Sequence, residues 1–116
     1  YNSIYNYYSG VFKLRRDNPA LRSNDETKFA WRYTPWSGDA DVIGYSRVAG
    51  ASDKKFVVLL NFNRYSSKTV TLGFPEDGTW TKVVTETGVN QTGTITVSGG
   101  YATVTIGQNA GIIFMK

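Results

Sequence analysis

The stretch Val11-Phe-Lys-Leu-Arg-Arg-Asp-Asn-Pro-Ala-Leu-Arg22 is where the hydrophobic period of the chain changes. Upstream, Ile4, Tyr8, Val11 and Phe12 fall at i, i+4, i+7 and i+8, the spacing of one helical face. Leu14 widens that apolar surface. Asn18-Pro19 stops the helix, because proline disfavours the α region for the residue before it. Ala20 and Leu21 then tuck the chain onto the layer beneath. An amphipathic helix with no second helix after it needs a surface to bury against.

From Asp25 onward the period is near two, the signature of strands with one face buried. Thr27 to Thr34 alternates, which places Phe29, Trp31 and Tyr33 on one side. Further strands are expected over 42–48, 55–63, 68–74, 79–86, 93–98, 101–106 and 110–116. The third is apolar on consecutive positions from Phe56 to Leu60, as in a strand buried on both faces. Asn61, at the end of that run, is expected to satisfy neighbouring backbone groups. Gly99-Gly100 signals a two-residue hairpin, and Thr87 to Thr92 reads as a polar connection. Eight short strands at near-regular spacing predict an antiparallel sandwich or barrel.

Composition removes much chemistry. The 116 residues contain no Cys and no His, so there is no disulfide, no thiolate or imidazole metal site and no Ser-His or Cys-His nucleophile pair. No apolar run approaches a membrane span. The first residues resemble no signal peptide, and the absence of an initiator Met predicts a piece of a longer chain. Of the net charge of +4, residues 1–22 hold +3, through Lys13, Arg15, Arg16 and Arg22 against Asp17. That is the charge suited to a helix C-terminus. The nearly balanced remainder lacks the basic stripe of a nucleic-acid binder.

The order of features, Tyr8 then Phe12-Lys-Leu-Arg-Arg-Asp-Asn-Pro-Ala-Leu21, resembles the last helix of the catalytic barrel in the α-amylase superfamily. The continuation is similar to the C-terminal domain of those enzymes. Val42-Ile-Gly-Tyr-Ser-Arg47 resembles its second strand, Phe56-Val-Val-Leu-Leu-Asn-Phe-Asn63 its central strand, Gly78-Thr-Trp80 the opening of its fifth, and Ala110-Gly-Ile-Ile-Phe114 its closing strand. The resemblance implies a mostly β fold, an eight-stranded antiparallel Greek-key sandwich preceded by one N-terminal α-helix. It divides the chain into a terminal helix of an otherwise missing (β/α)8 barrel, residues 1–22, and a sandwich, residues 23–116. The partner implied is that barrel, met through Ile4, Tyr8, Val11, Phe12, Leu14 and Leu21.

The superfamily's catalytic Asp, Glu and Asp lie on barrel strands whose motifs are absent here, so no catalytic role carries over. No cofactor is expected in this chain; any calcium would belong to the parent barrel. Asp39 and Asp41 fall short of a calcium loop. The expected function is a non-catalytic accessory domain of an enzyme acting on starch or other α-glucans, stabilising the barrel and touching glucan weakly. An extracellular or periplasmic location is expected if the parent degrades starch.

Sugar contacts call for flat aromatic rings, and Trp31, Tyr33, Trp36 and Tyr65 are the candidates. Trp36 leads, because a loop between Pro35 and Ser37-Gly38 rarely buries an indole completely. Two rival classes stand beside this reading. One is a stand-alone carbohydrate-binding module using Trp31, Tyr33 and Trp36; the other is an adhesion-type sandwich that binds protein. The leading helix speaks against both, since an independent module has no need of it. Asn90-Gln-Thr92 fits a glycosylation sequon.

Overall fold

The computed structural model describes residues 2–22, 28–48, 54–85 and 88–116, without the side chains of residues 2–8, 11, 22, 35, 85 and 88–92. A helix, α1 (Asn2–Asp17), is followed by a 3-10 turn, Pro19–Arg22, and eight strands. These are β1 (Phe29–Tyr33), β2 (Val42–Val48), β3 (Lys55–Asn61), β4 (Lys68–Gly73), β5 (Gly78–Thr85), β6 (Gly88–Val97), β7 (Tyr101–Ile106) and β8 (Ala110–Met115). Every pairing is antiparallel. One sheet has six strands in the order β1-β2-β3-β8-β5-β6, and β4 and β7 form the second.

The predicted stop of α1 forms as the sequence requires. Arg15 and Arg16 occupy its last turn, where cations offset the negative end of the helix dipole. The Asn18 amide donates to the Leu14 carbonyl at 2.8 Å, satisfying an acceptor the helix end leaves open. Proline then prevents continuation, and the 3-10 turn buries Ala20 completely. Arg47 of β2 donates from Nε to the Ala20 carbonyl at 3.1 Å, which ties this turn to the sheet.

The large sheet is a middle layer. On its inner face Val57, Leu59, Trp80, Ile112 and Phe114 pack against Val70, Leu72, Val104 and Ile106 from the small sheet. Phe74 closes this core beside Trp80 and Phe114, with ring centroids 5.1 and 5.5 Å away. The Trp80 indole donates to the Glu76 carbonyl at 3.1 Å, so its polar atom is satisfied inside the core. On the outer face Phe56, Val83 and Val84 receive Ala20, with Leu14, Leu21, Ile113 and Met115 around them. The expectation for the third strand holds: Phe56 and Val57, adjacent in β3, are both fully buried on opposite faces.

Two local readings need correction. The register of β1 shifts between Trp31 and Tyr33, so Trp31 pairs with Tyr45 while Tyr33 pairs with Gly44. A bulge of this kind inserts one residue and reverses the facing of the residues beyond it. Phe29 and Trp31 therefore share the outer face with Tyr45, whereas Tyr33 enters the core. The second correction is the length of β6. It begins at Gly88, so most of the expected connection is strand, paired to β5 through Val84–Val89 and Thr85–Gly88. Ladder hydrogen bonds come from the backbone, and an edge strand can be polar throughout without losing them.

The Gly99-Gly100 hairpin forms, with φ of 66° and 82°. Positive φ at both central residues is the turn that glycine permits at no steric cost. It joins strands of different sheets, and Asp77 braces it by accepting from the Gly99 and Gly100 N–H groups at 3.0 and 2.7 Å. Beside it, Glu76 bridges Lys55 at 3.0 Å and Lys116 at 3.5 Å, linking the turn before β5 to the start of β3 and the end of β8.

Two outcomes test this packing. A Cβ added at Gly44 would lie 2.7 Å from the buried Leu72 side chain, whereas one at Gly93 would meet only Lys82, at 3.8 Å. Gly44→Ala is expected to lower stability by about 1–3 kcal/mol through overpacking, and Gly93→Ala to be neutral or slightly stabilising. Urea denaturation midpoints compare them, and equal loss in both would contradict the packing. The second outcome concerns acid. The hydrogen bond from Lys55 holds the Glu76 carboxyl below its ordinary value, opposed by burial and aided by the Lys116 charge. A carboxyl depressed in the folded state stabilises fully above its unfolded value, and this is lost as pH falls through the folded one. The fall in thermal midpoint on acidification below about pH 4.5 should be shallower in Glu76→Gln than in the parent chain.

Candidate functional site

Three loops meet at the end of the sandwich where β1, β3 and β7 finish. Residues 34–41 join β1 to β2, residues 62–67 join β3 to β4, and residues 107–109 join β7 to β8. Asn61 is the centre of this end. Its buried amide donates to the carbonyls of Ser66 and Gly107 at 3.1 and 3.0 Å, and its oxygen accepts from the Asn63 N–H at 2.9 Å. One side chain thus fixes two loops, the role expected of a polar residue in an apolar strand. Asn109 has φ of 46°, an uncommon left-handed conformation that asparagine tolerates, and its N–H donates to the Asn63 carbonyl at 2.7 Å.

The 34–41 and 62–67 loops are joined to one another as well. Phe62 N–H donates to the Asp41 carbonyl at 2.8 Å, and the Asn63 amide donates to the Asp41 carboxylate at 3.0 Å. Asn63 Oδ1 in turn accepts from the N–H groups of Tyr65 and Ser66, both at 2.8 Å. Asp39 pairs with Lys68 at 3.0 Å. The Asp41 N–H, then Lys68, hold the Asp39 carboxyl below its ordinary value, with burial opposing. Among the described residues no three acid, cysteine or histidine side chains gather as a metal-binding set.

This frame carries exposed rings. Trp36 sits on a short 3-10 turn, Pro35–Ser37, with 89% of its surface open to solvent. The turn is closed by the Ser37 N–H donating to the Thr34 carbonyl at 2.9 Å, and by Thr34 N–H donating to the Ser37 hydroxyl at 3.1 Å. Tyr65 is 81% exposed, with the Arg64 guanidinium carbon 5.5 Å from its ring centroid. Phe62 is exposed in the same loop. Its position comes from alternation: Asn61 points inward, and the next side chain leaves the core.

The other expected residues lie elsewhere. Tyr33 is buried, which removes its ring from any exposed platform, and its hydroxyl accepts from the Asp39 N–H at 2.8 Å. It props up the Trp36 loop from beneath. Trp31 is 58% exposed on the outer face of the large sheet, edge-on to Phe29 at 5.1 Å and to Tyr45 at 6.4 Å. Phe29 and Tyr45 stack at 5.1 Å. Trp31 therefore belongs to a patch on a sheet face, separate from the loop end.

Of the residues expected to meet a barrel, Leu14 and Leu21 pack on the chain's own outer sheet face, around Phe56, Val83 and Val84. Phe12 is 68% exposed. Ile4, Tyr8 and Val11 lie in α1, but their side chains are outside the described residues. Sequence reasoning did not single out Phe62 or Asn63, and weighed Asp41 only as a calcium ligand. The in-out alternation beyond Asn61 could have found Phe62. The other two owe their place to contacts across 22 residues of sequence.

Residues 36–116 match the protein family described as "Alpha amylase, C-terminal all-beta domain". Among solved structures, the chain is similar to a GH30 endoxylanase from Clostridium papyrosolvens C71, with a TM-score of 0.54 and 16% sequence identity over 67% of this chain. It spans 20% of that enzyme's length. At so low an identity the likeness concerns the fold alone. No match is found among curated proteins. A family match over more than half of the residues, on an antiparallel two-sheet fold, decides the assignment: the chain belongs to the α-amylase C-terminal all-β domain family.

Proposed function

We propose that this chain is the non-catalytic C-terminal domain of an α-amylase-like glycoside hydrolase acting on starch or related α-glucans, together with the last helix of its catalytic barrel. The observation that carries the proposal is the family match over residues 36–116. The helix supports it. α1 lies on the outer face of the large sheet through Leu14, and Ala20 and Leu21 of the turn after it seal the same seam. Phe12 points away from that seam, exposed. A helix that buries one side on a sandwich and leaves an aromatic on another suits a position between two domains.

The role is mechanical. The catalytic domain would cover Phe12 and the outer-face patch of Trp31, Phe29 and Tyr45, and the sandwich would in turn cover apolar barrel surface. Burying an exposed aromatic side chain contributes about 1.5–3 kcal/mol relative to leaving it in water. A few such residues are enough to couple the stability of two domains.

Two measurements test this reading. The purified chain should release no reducing sugar from soluble starch; turnover that co-purifies with it would overturn the accessory role. In the longer enzyme, Phe12→Glu should lower the thermal midpoint by several degrees. In the 116-residue chain, where the ring is already exposed, the same change should alter stability by no more than about 0.5 kcal/mol. Equal effects in both would place Phe12 outside any domain contact.

A further inference from the structure

We propose that the end of the sandwich bearing Trp36, Phe62 and Tyr65 is a binding surface for an α-glucan chain. The choice of α-glucan as occupant rests on the accessory-domain reading; the surface itself rests on geometry.

Three large rings stand exposed on two loops that hydrogen bonds hold to one another. Exposed aromatic side chains on loops over a rigid scaffold are where binding function concentrates. The loops here are fixed before any ligand arrives. Asp41 receives the Asn63 amide, Asn63 caps the turn that carries Tyr65, and the Tyr33 hydroxyl holds the loop that carries Trp36. Preorganisation of this kind lowers the entropic cost of binding. It also makes the exposure hard to explain as loop mobility.

The chemistry around the rings selects the class of ligand. A pyranose presents an apolar face of C–H groups that lies flat on an aromatic ring, and a rim of hydroxyls that exchange hydrogen bonds with polar neighbours. Here Thr34 and Ser37 lie around Trp36, Ser66 and Ser67 follow Tyr65, and the Arg64 guanidinium sits over the Tyr65 ring. The acids of the loops are already engaged, Asp39 with Lys68 and Asp41 with Asn63. With no free loop acid to meet a cation, a neutral, hydroxyl-rich polymer can stack on the rings and accept from Arg64 and the hydroxyls. A large protein partner would call for a continuous apolar centre, and these rings are divided between two loops within polar surroundings.

The test is affinity electrophoresis of the 116-residue chain in native gels containing amylopectin, with xylan gels and polymer-free gels as references. Retardation is expected in amylopectin. Trp36→Ala should weaken it by about tenfold, the size expected of a central aromatic anchor, and Tyr65→Ala and Phe62→Ala by less. The thermal midpoint of Trp36→Ala should not move, because the ring is exposed; this separates lost binding from lost folding. Absence of retardation, retardation unchanged in Trp36→Ala, or equal retardation by xylan would each overturn the proposal. So would sedimentation showing a dimer that Trp36→Ala dissociates, since a second copy would then cover the rings. Failure to bind without hydrolysis removes this inference alone, whereas hydrolysis by the chain removes the accessory-domain reading instead.

Discussion

A strand with one apolar face needs one covering layer; β3, in which Phe56 and Val57 stand side by side and both shut off from solvent, demands two. The small sheet of β4 and β7 supplies one layer and the helix with its 3-10 turn supplies the other. The chain must therefore leave the large sheet after β3, return, leave again after β6, and return to place β8 beside β3. The loops that make those crossings are where polar bracing concentrates. Asp77 and Glu76 hold one end, and Asn61, Asp41 and Asn63 hold the other.

That division of labour shapes what the domain can do. The outer face of the large sheet is partly covered by α1 and partly open around Trp31, and the open part is where the proposed catalytic domain would pack. The loop end carries the exposed rings of Trp36, Phe62 and Tyr65, for which a different kind of contact is proposed. Among the described residues the acids of the loops are engaged, Asp39 with Lys68 and Asp41 with Asn63, and the roles proposed for the domain are to hold and to bind.

Much of this was legible in the residues. The helix with its Asn-Pro stop, the run from Phe56 to Leu60, the Gly99-Gly100 turn and the satisfied Asn61 all come from local rules of spacing, ring constraint and hydrogen-bond need. The exposure of Trp36 was legible too, because a turn of Pro, Ser and Gly leaves an indole little to pack on. The resemblance to α-amylase C-terminal domains rested on the order of such features, and the family match over residues 36–116 agrees with it.

Taken alone, the residues specify the succession of elements, since helix and strand periods are local properties of side-chain spacing. The face each residue takes after an irregularity comes instead from the assembled fold. The bulge at β1 sent Tyr33 inward although its spacing from Trp31 promised a shared face. Pairing with β5 extended β6 back to Gly88, and backbone pairing leaves no signature in polar side chains. Antiparallel pairing of β2 with β3, which sets Val42 opposite Asn61, brought Asp41 beside Asn63, and so the Trp36 loop beside the Tyr65 loop. A contact between loops is set by which strands pair and in what register. No window of sequence contains that geometry.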